Sequence, residues 1–297
     1  MSDAEDYEIL IIGSGGAGKH LTWNMALAGR RTAVVERKYI GGSCVNIACL
    51  PSKNVIRSAK ANWFARHGAE YGIQTGPVAT DMRGVFNRKR KMVEGEVRFH
   101  VDRFKVTGAE LISGEARFVA PKTVEVQLND GGRRVIIGDR VFLDLGSRST
   151  IPDVPGLVAA RPMTHVEALD LDRLPEHLVA VGGGYVGLEL AQALRRFGSA
   201  VTVIEHGSQI AAAEDPDVAQ ALVENFTSEG IECCSRHACA KWREARVRRS
   251  GSLLKTTTDN KRSREPICSS PRDGRRILGA SDWKRQELNW THAATSK

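Results

Sequence analysis

Two cysteines five positions apart, Cys44 and Cys49, are the residues of this chain with the clearest chemical potential. Paired thiols can cycle between a dithiol and a disulfide, and thiolates also bind soft metal ions. In a regular helix, positions i and i+5 lie roughly 140° apart around the axis and about 7.5 Å apart along it. Disulfide Cα atoms usually lie about 4.4–6.8 Å apart. The pair can therefore close only if the first turn is distorted, with Cys44 in an entry freed by Gly41 and Gly42, and Cys49 further into the helix.

The segment before the cysteines has the pattern of a dinucleotide-binding β-α-β unit. An apolar run over residues 7–12 ends on the turn GSGGAG, a helical pattern covers residues 19–28, and a β-branched run ends on the acid Glu36. A G-x-G-x-x-G motif indicates dinucleotide binding only when it lies in such a context of strand, turn, helix and strand. The turn glycines shape the turn, admit a pyrophosphate and let helix and strand pack closely. The predicted cofactor-binding residues are Gly13, Gly15, Gly16, Gly18 and Glu36.

The same unit returns later in the chain. A strand over residues 178–181 leads into the turn GGGYVG, a helix follows over residues 188–197, and a second strand ends on Glu205. The distance from Gly13 to Glu36 is 23 residues, and the distance from Gly182 to Glu205 is also 23 residues. Two nucleotide sites in one chain indicate electron transfer between two dinucleotides. The predicted residues of the second turn are Gly182, Gly184, Tyr185 and Gly187.

Helices and short strands are predicted between the two units. Helical patterns cover residues 52–67 and 81–105, and short strands are expected at 110–112, 117–119, 123–126, 134–137 and 141–143. The sequence NDGG at 129–132 is a hairpin signal between two of these strands. Residues 146–155, with two prolines, are expected to form the crossing between domains.

Composition limits the classes of protein that this chain can represent. Its 297 residues suffice for two domains, and no segment approaches the ~20 apolar residues of a membrane span. The acidic start lacks the features of a signal peptide, so a cytoplasmic protein without membrane association is predicted. In that compartment a catalytic disulfide is more usual than a structural one.

The net charge of +8 is concentrated at the C-terminal end. Residues 233–297 hold 11 Arg and 5 Lys against 3 Asp and 3 Glu, which leaves 27 basic and 29 acidic residues before them. Because the earlier part is slightly acidic and shows no motif for reading bases, nucleic-acid binding is not predicted.

Sequence character changes after Glu232. Periodicity is lost, and a strand that begins at Ile231 is not expected to continue. A frameshift, a misjoined end or a truncated gene product is predicted, and a disordered basic arm is the alternative. Three of the five tryptophans lie in this tail and argue against disorder. Its Cys233, Cys234, His237 and Cys239 lack a regular ligand spacing, so no metal site is predicted.

Taken together, these motifs resemble those of the pyridine nucleotide-disulfide oxidoreductases, the flavoprotein family of dihydrolipoamide dehydrogenase, glutathione reductase and mercuric reductase. The resemblance covers residues 7–232 and rests on both glycine turns, the stretch GGSCVNIACLPSK, and the P-x-x-P-G crossing at 152–156. It implies an α/β fold with two Rossmann-like units in a three-layer ββα arrangement, without the C-terminal dimerisation domain. The implied domains are an FAD-binding domain at 1–150, a partial NAD(P)-binding domain at 151–232 and an unmatched basic tail at 233–297.

The resemblance also implies roles for individual residues. FAD would occupy the first unit, with Gly42 and Lys53 near its isoalloxazine, and Gly146 would close that unit although Leu145 replaces the usual threonine. Cys49 would contact the flavin and Cys44 would face the substrate. Lys53 would pair with Glu189, and Tyr185 would cover the flavin.

NADH or NADPH would occupy the second unit. The carboxylate of Glu205 favours NADH because it accepts from a 2′-hydroxyl and repels a 2′-phosphate. Arg195 and Arg196, on the preceding helix, are the argument for NADPH.

The implied activity is an NAD(P)H-dependent reduction of the Cys44–Cys49 disulfide through flavin, with electrons passing on to a small-molecule disulfide substrate or to Hg(II). A helix N-terminus and a nearby cation are expected to lower the pKa of the thiol. The family is homodimeric, but the dimer domain with its His-Glu pair, a later Gly-Asp motif and the terminal cysteine pair of mercuric reductases have no counterparts here. Impaired activity is therefore expected, and a catalytically inactive nucleotide-binding module is the alternative.

Overall fold

The computed structural model describes residues 4–235 and the backbone of residues 275–278. None of the helices in the described part combines the length and the apolar character needed to cross a membrane. A short 3-10 turn covers Gly68–Tyr71. In chain order the strands and helices are β1 (Glu5–Ile12), α1 (Gly16–Leu27), β2 (Thr32–Glu36), α2 (Ser43–Asn46), α3 (Cys49–Arg66), α4 (Met82–Thr107), β3 (Glu110–Ala120), β4 (Thr123–Leu128), β5 (Arg133–Leu143), α5 (His165–Leu169), β6 (His177–Val181), α6 (Tyr185–Phe197), β7 (Ala200–Ile204), α7 (Pro216–Ser228), β8 (Ile231–Cys234) and β9 (Arg275–Leu278).

The first five strands are hydrogen-bonded in the closed order β1-β2-β3-β4-β5. β1 pairs in parallel with β2 and β5, and β2 pairs in parallel with β3. β4 pairs antiparallel with β3 on one side and with β5 on the other. The turn at 129–132 connects β4 and β5, which confirms the predicted hairpin.

Two strands are longer than predicted. The separate strands expected at 110–112 and 117–119 are one strand, β3, and those at 134–137 and 141–143 are one strand, β5. A glycine lies in the middle of each, and a Cβ at Gly138 would lie 2.7 Å from the Cβ of Leu10. The glycines interrupt the apolar pattern because the neighbouring chain approaches too closely for a side chain. Each long strand can therefore join the parallel strands at one end and the antiparallel β4 at the other.

Successive side chains of β1 enter two different apolar clusters. Leu10 and Ile12 pack with residues of β4, including Val124 and Val126. Ile9 and Ile11 pack with Trp23 of α1 and Phe104 of α4. Because side chains alternate along a strand, β1 is buried on both faces, which explains its continuous apolar sequence.

The second β-α-β repeat forms a separate parallel sheet with the order β8-β7-β6-β9. Its core joins α6 to β6 and β7, and it also receives Val55 and Ala59 from α3. Contacts of α3 with α6 thus connect the cysteine segment to the second sheet.

The expectation that no strand follows Glu232 is wrong. Residues 231–234 form β8, which pairs in parallel with β7, and β9 pairs in parallel with β6. Ile231 is fully buried, and Cys233 packs against the same core. A free cysteine behaves as a small apolar residue, so its position in this strand follows from packing. Residues 236–274 and 279–297 of the tail lie outside the described part of the chain.

An ion-pair network joins β1, β3 and β5. Arg134 contacts Glu5 at 2.5 Å and Glu110 at 2.8 Å, and Tyr7 donates its hydroxyl to Glu110. The hydrogen bond from Arg134 holds the pKa of Glu5 below its usual value of 4.5. A carboxylate with a depressed pKa stabilises the fold above the pKa of the unfolded chain, and this stabilisation is lost as pH falls through the lower folded value.

We expect Arg134→Met to lower the free energy of unfolding by about 1 kcal/mol at pH 7, discounted for the partial exposure of both partners. The difference should shrink as the pH falls from about 4.5 through the lower pKa that Glu5 has in the folded chain. Urea denaturation at pH 7 and pH 3 measures both effects. Arg90→Met, which removes an exposed pair with Glu94, is the control and should change little. An equal loss at both pH values for Arg134→Met would contradict the assignment.

Candidate functional site

The first glycine turn lies where β1, β5 and α1 meet. Gly13 has φ +100°, and a Cβ there would lie 2.1 Å from the carbonyl oxygen of Asp144. A Cβ at Gly18 would lie 2.2 Å from the carbonyl oxygen of Gly13. Gly42, in the cysteine segment, has φ +85°, and a Cβ at this position would lie 2.6 Å from the Cα of Gly15. Backbone contact of this kind requires glycine at each position.

Glu36 holds this turn in place. Its carboxylate accepts from the backbone N–H of Ser14 at 2.9 Å and from the Ser14 hydroxyl at 2.9 Å. Its other oxygen accepts from the N–H groups of Lys38 and Tyr39. The sequence predicts Glu36 as a cofactor-binding residue, and the structure adds that its carboxylate joins the turn to the loop after β2.

Glu205 has the same arrangement in the second unit. Its carboxylate accepts from the N–H of Gly183 at 2.6 Å and from the N–H of Gly207 at 2.6 Å. Gly182 has φ +103°, Gly184 is the N-cap of α6, and a Cβ at Gly187 would lie 2.8 Å from the carbonyl oxygen of Gly182. The two units therefore share hydrogen-bond geometry as well as spacing.

Asp144 belongs to the first turn and was not identified from the sequence. Its Oδ2 accepts from the N–H of Gly18 at 2.7 Å and lies 2.7 Å from the Cβ position of Gly15. The available signal was a carboxylate directly after a predicted strand and two residues before Gly146, since ligands of such folds bind beyond the carboxyl ends of strands. A negative charge thus lies beside the N-terminus of α1.

The cysteine segment is two helices and not one distorted helix. Cys44 lies in the four-residue α2, Ile47 and Ala48 interrupt the helix, and Cys49 is the first residue of α3. The expectation that Cys49 lies further into the helix of Cys44 is therefore wrong. Asn46 holds the entry by donating to the carbonyl oxygens of Ile40 at 2.9 Å and Gly42 at 2.8 Å. The interruption turns the second cysteine back toward the first.

The two thiols are neighbours in their reduced form. Cys44 and Cys49 are both exposed free cysteines, and they lie near enough for Cys49 to affect the ionisation of Cys44. Partial desolvation raises the pKa of Cys44, and the neighbouring Cys49 raises it further, while the charge of Lys19 lowers it. The net direction is upward, so the expectation of a lowered thiol pKa is wrong for Cys44 in this state.

Two cavities adjoin the cysteine segment. The larger, of about 840 Å³, is lined by Gly15, Gly16, Glu36, Gly42, Cys44 and Gly146, together with Asp144 and residues of the segment 145–149. The smaller, of about 280 Å³, is lined by Cys49, Lys53, Tyr185 and Glu189 with apolar residues of α5 and α6. Ser43 and His165 line both cavities. Most of the predicted site residues therefore gather around one continuous region, which extends from the first glycine turn to the start of α6.

Lys53 and Glu189 join the cysteine helix to the second unit. The Lys53 ammonium contacts both carboxylate oxygens of Glu189, at 2.6 Å to Oε2. Tyr185 lies one turn earlier on α6, is 69% exposed and lines the smaller cavity. The smaller cavity thus brings together four residues that are separated by up to 140 positions in the sequence, Cys49, Lys53, Tyr185 and Glu189.

The larger cavity fits a dinucleotide. Its volume lies in the range of about 300–1,000 Å³ that is typical of cofactor sites. Glycines without facing side chains form its floor, and the 12-residue helix α1 directs its N-terminus toward it. A Cβ at Gly16 would meet nothing within 4 Å, so space remains beside the turn.

The cysteines of β8 lie apart from this site. Cys233 is half-buried, and burial raises its pKa. In the described residues no group of three or more metal-ligating side chains comes together. His237 and Cys239 lie outside the described residues.

Two β-α-β units with glycine turns, on either side of a neighbouring thiol pair, define a dinucleotide-binding α/β protein with a redox-capable centre. The chain belongs to the pyridine nucleotide-disulphide oxidoreductase family, whose model matches residues 7–266. Members of this family bind FAD and NAD(P)H, as predicted here. The match extends beyond residue 232, where sequence reasoning placed the end of the resemblance.

Individual relatives agree with the family. The chain is 34% identical over 227 residues to a mercuric reductase of Bacillus cereus, covering 76% of this chain and 35% of the relative. It is 36% identical over 235 residues to a mercuric reductase of Acidithiobacillus ferrooxidans, covering 78% and 43%. Its structure is similar to the Cu(II) complex of the HOCl-induced flavoprotein disulfide reductase RclA from Escherichia coli, with a TM-score of 0.68, 29% identity and coverage of 78% and 49%. The chain spans less than half the length of each of these relatives.

Proposed function

We propose that this chain carries the electron-transfer half of an FAD-dependent NAD(P)H oxidoreductase, in which Cys44 and Cys49 form the redox-active disulfide that reduces a disulfide substrate or Hg(II). The observation that carries the proposal is the position of two free cysteines at the junction of two cavities, with Cys44 lining the larger and Cys49 the smaller. The likeness to mercuric reductases and to a flavoprotein disulfide reductase supports it. A cytoplasmic location, where catalytic disulfides are the usual kind, is part of the proposal.

Residues 1–150 would hold FAD and the second unit, from residue 151, the nicotinamide dinucleotide, as two Rossmann-like units. The boundary falls in the segment between β5 and α5, which contains Pro152 and Pro155 and has little regular structure. When bound, the two cofactors supply hydride and electron transfer to the cysteine pair. The first glycine turn and Glu36 would bind the FAD adenosine and pyrophosphate, and Lys53, held by Glu189, would place a positive charge beside its ring.

The chemistry of the thiols follows from their proximity. The Cys44 thiolate attacks one sulfur of a disulfide substrate, which forms a mixed disulfide and releases the first substrate thiolate. The Cys49 thiolate then attacks the Cys44 sulfur and releases the second substrate thiolate, which closes the Cys44–Cys49 bond. Two electrons move from the protein thiols to the substrate, and both released thiolates take up protons according to their pKa. Because the pKa of Cys44 is raised, exchange should accelerate as pH rises above neutrality.

Charges in the second unit favour NADH. Glu205 places a carboxylate at the end of β7, where it would repel a 2′-phosphate. Arg195 donates to the carbonyl oxygen of Glu229 at 2.7 Å, and Arg196 donates to the carboxylate of the same residue at 2.6 Å. Neither guanidinium is directed to the second glycine turn by these contacts, which also favours NADH.

The proposal is tested by purifying the chain, adding FAD and treating it anaerobically with NADH. We expect bound flavin to bleach and two thiols per chain to become reactive with a chromogenic disulfide. Bleaching without new thiols would indicate the inactive nucleotide-binding module. Failure to retain flavin, or no response to NADH and NADPH, would contradict FAD use. Oxidation of NADH in the presence of Hg(II) or of a small disulfide then separates the two substrate classes.

Asp144→Asn is expected to tighten FAD binding roughly three- to tenfold, because it removes a negative charge beside the pyrophosphate site. The amide oxygen can still accept from the N–H of Gly18, so the turn should keep its shape. Fluorescence titration with FAD measures the dissociation constant. Asp102→Asn, an exposed change on α4, is the control. Unchanged or weaker binding by Asp144→Asn would show that its charge does not face the phosphates.

A further inference from the structure

Lys19, in the first turn of α1, joins three elements around the cysteine segment. Its Nζ lies 3.3 Å from the carbonyl oxygen of Gly41 and 2.8 Å from Nε2 of His100, on α4. Gly41 comes three residues before Cys44 and directly before Gly42. A Cβ at Gly41 would lie 3.2 Å from the His100 ring, so the loop is packed against this histidine. The ammonium is thus attached to the loop that carries the thiol.

The hydrogen bonds determine the tautomer of His100. Its Nδ1 lies 2.6 Å from the carbonyl oxygen of Glu96, which can only accept, so Nδ1 carries the hydrogen. Its Nε2 faces an ammonium, which can only donate, and therefore presents a lone pair. His100 is only 4% exposed, and burial lowers its pKa. His100 is thus a neutral imidazole whose Nε2 accepts a hydrogen bond from the Lys19 ammonium.

Neighbouring charges act in both directions on this pair. Lys19 and His20 lower the pKa of His100, whereas the side chain of Glu96 raises it. Trp23 packs its ring between His20 and His100 and covers them from α1. At Cys44 the acting groups are Cys49 and Lys19, and Lys19 opposes the effect of the second thiol.

We propose that Lys19 is a positioning residue for the redox pair, whose ammonium, anchored by the neutral His100, holds the Gly41 carbonyl and stabilises the Cys44 thiolate. The inference rests on the proposed function only in taking Cys44 as the attacking thiol. A cation near a thiol favours its ionised form, which is the nucleophile. The mechanism described above uses neither Lys19 nor His100, and both lie outside the glycine turns that bind nucleotide.

The test measures the thiol itself, in the full chain as purified, reduced and freed of reductant. The rate of Cys44 alkylation by iodoacetamide is followed against pH by peptide mass mapping. Lys19→Met should raise the pH midpoint by about one unit and slow alkylation at pH 7 about threefold, since the rise in thiol nucleophilicity partly offsets the loss of thiolate. Lys60→Met, on an exposed lysine of α3, should leave both values unchanged.

Further variants separate charge from structure. Lys19→Arg should keep the midpoint near that of the unchanged chain, and His100→Phe, which removes the acceptor and fills its space, should raise it by less than Lys19→Met. Thermal unfolding checks that each variant is folded. A midpoint in Lys19→Met equal to that in Lys60→Met overturns the inference. Full reductase activity in Cys44→Ser would instead overturn the proposed function and leave the alkylation result standing.

Discussion

Replacing Cys44 with serine is expected to lower NADH-driven reduction of a disulfide substrate at least about a hundredfold. A serine hydroxyl is not ionised near neutral pH and cannot exchange with a disulfide. Cys49 remains, but closure of the protein disulfide needs both sulfurs. Turnover with NADH and a chromogenic disulfide gives the rate, and flavin bleaching in the same sample shows whether NADH still reacts.

Cys233→Ser is the matched control for this change. Cys233 lies on β8, is packed against the core of the second sheet, and has a pKa that burial raises. We expect this variant to keep its turnover with the same disulfide, apart from a small loss of stability. If Cys44→Ser turned over like Cys233→Ser, Cys44 would not be the attacking thiol.

Gly13→Ala is expected to lower the free energy of unfolding by about 2–4 kcal/mol and to abolish measurable FAD binding. Gly13 has φ +100°, and the new Cβ would lie 2.1 Å from the backbone carbonyl oxygen of Asp144. The Cβ is fixed to the backbone and the oxygen is a backbone atom, so neither can rotate away. β1 and β5 must therefore move apart and open the turn. Urea denaturation gives the stability, and fluorescence titration gives the affinity for FAD.

Gly16→Ala offers a comparison three residues further along the same turn. A Cβ there meets nothing within 4 Å, and the residue begins α1 with an ordinary helical conformation. Gly16→Ala should change the free energy of unfolding of the protein by less than about 0.5 kcal/mol. Equal destabilisation by both substitutions would show that the turn responds to loss of glycine in general and not to the contact with Asp144.

Local patterns were sufficient for much of the fold. β1, β2, β6 and β7, with α1 and α6 between them, follow from apolar runs, glycine turns and terminal acids, which are properties of neighbouring residues. Two predictions failed where packing overrides local pattern. Gly114 and Gly138 read as interruptions because their neighbours in space are invisible in the sequence, yet β3 and β5 continue through them. β8 was missed because cysteines replace the usual β-branched residues on a strand that is stabilised by β7 and by the core.

The sequence by itself determined the two repeated β-α-β units with their glycine turns, the cysteine pair between them and, through the family resemblance, the pairing of Lys53 with Glu189. Only the tertiary structure decided the state of the cysteines and their surroundings. It interrupts the helix at Ile47 and Ala48, places Asp144 against Gly18 from 126 positions away, and brings Lys19 to His100 from 81 positions away. The physical reason is that thiol pKa and anion affinity depend on burial and on charges nearby in space. These quantities are defined only after distant segments have packed together.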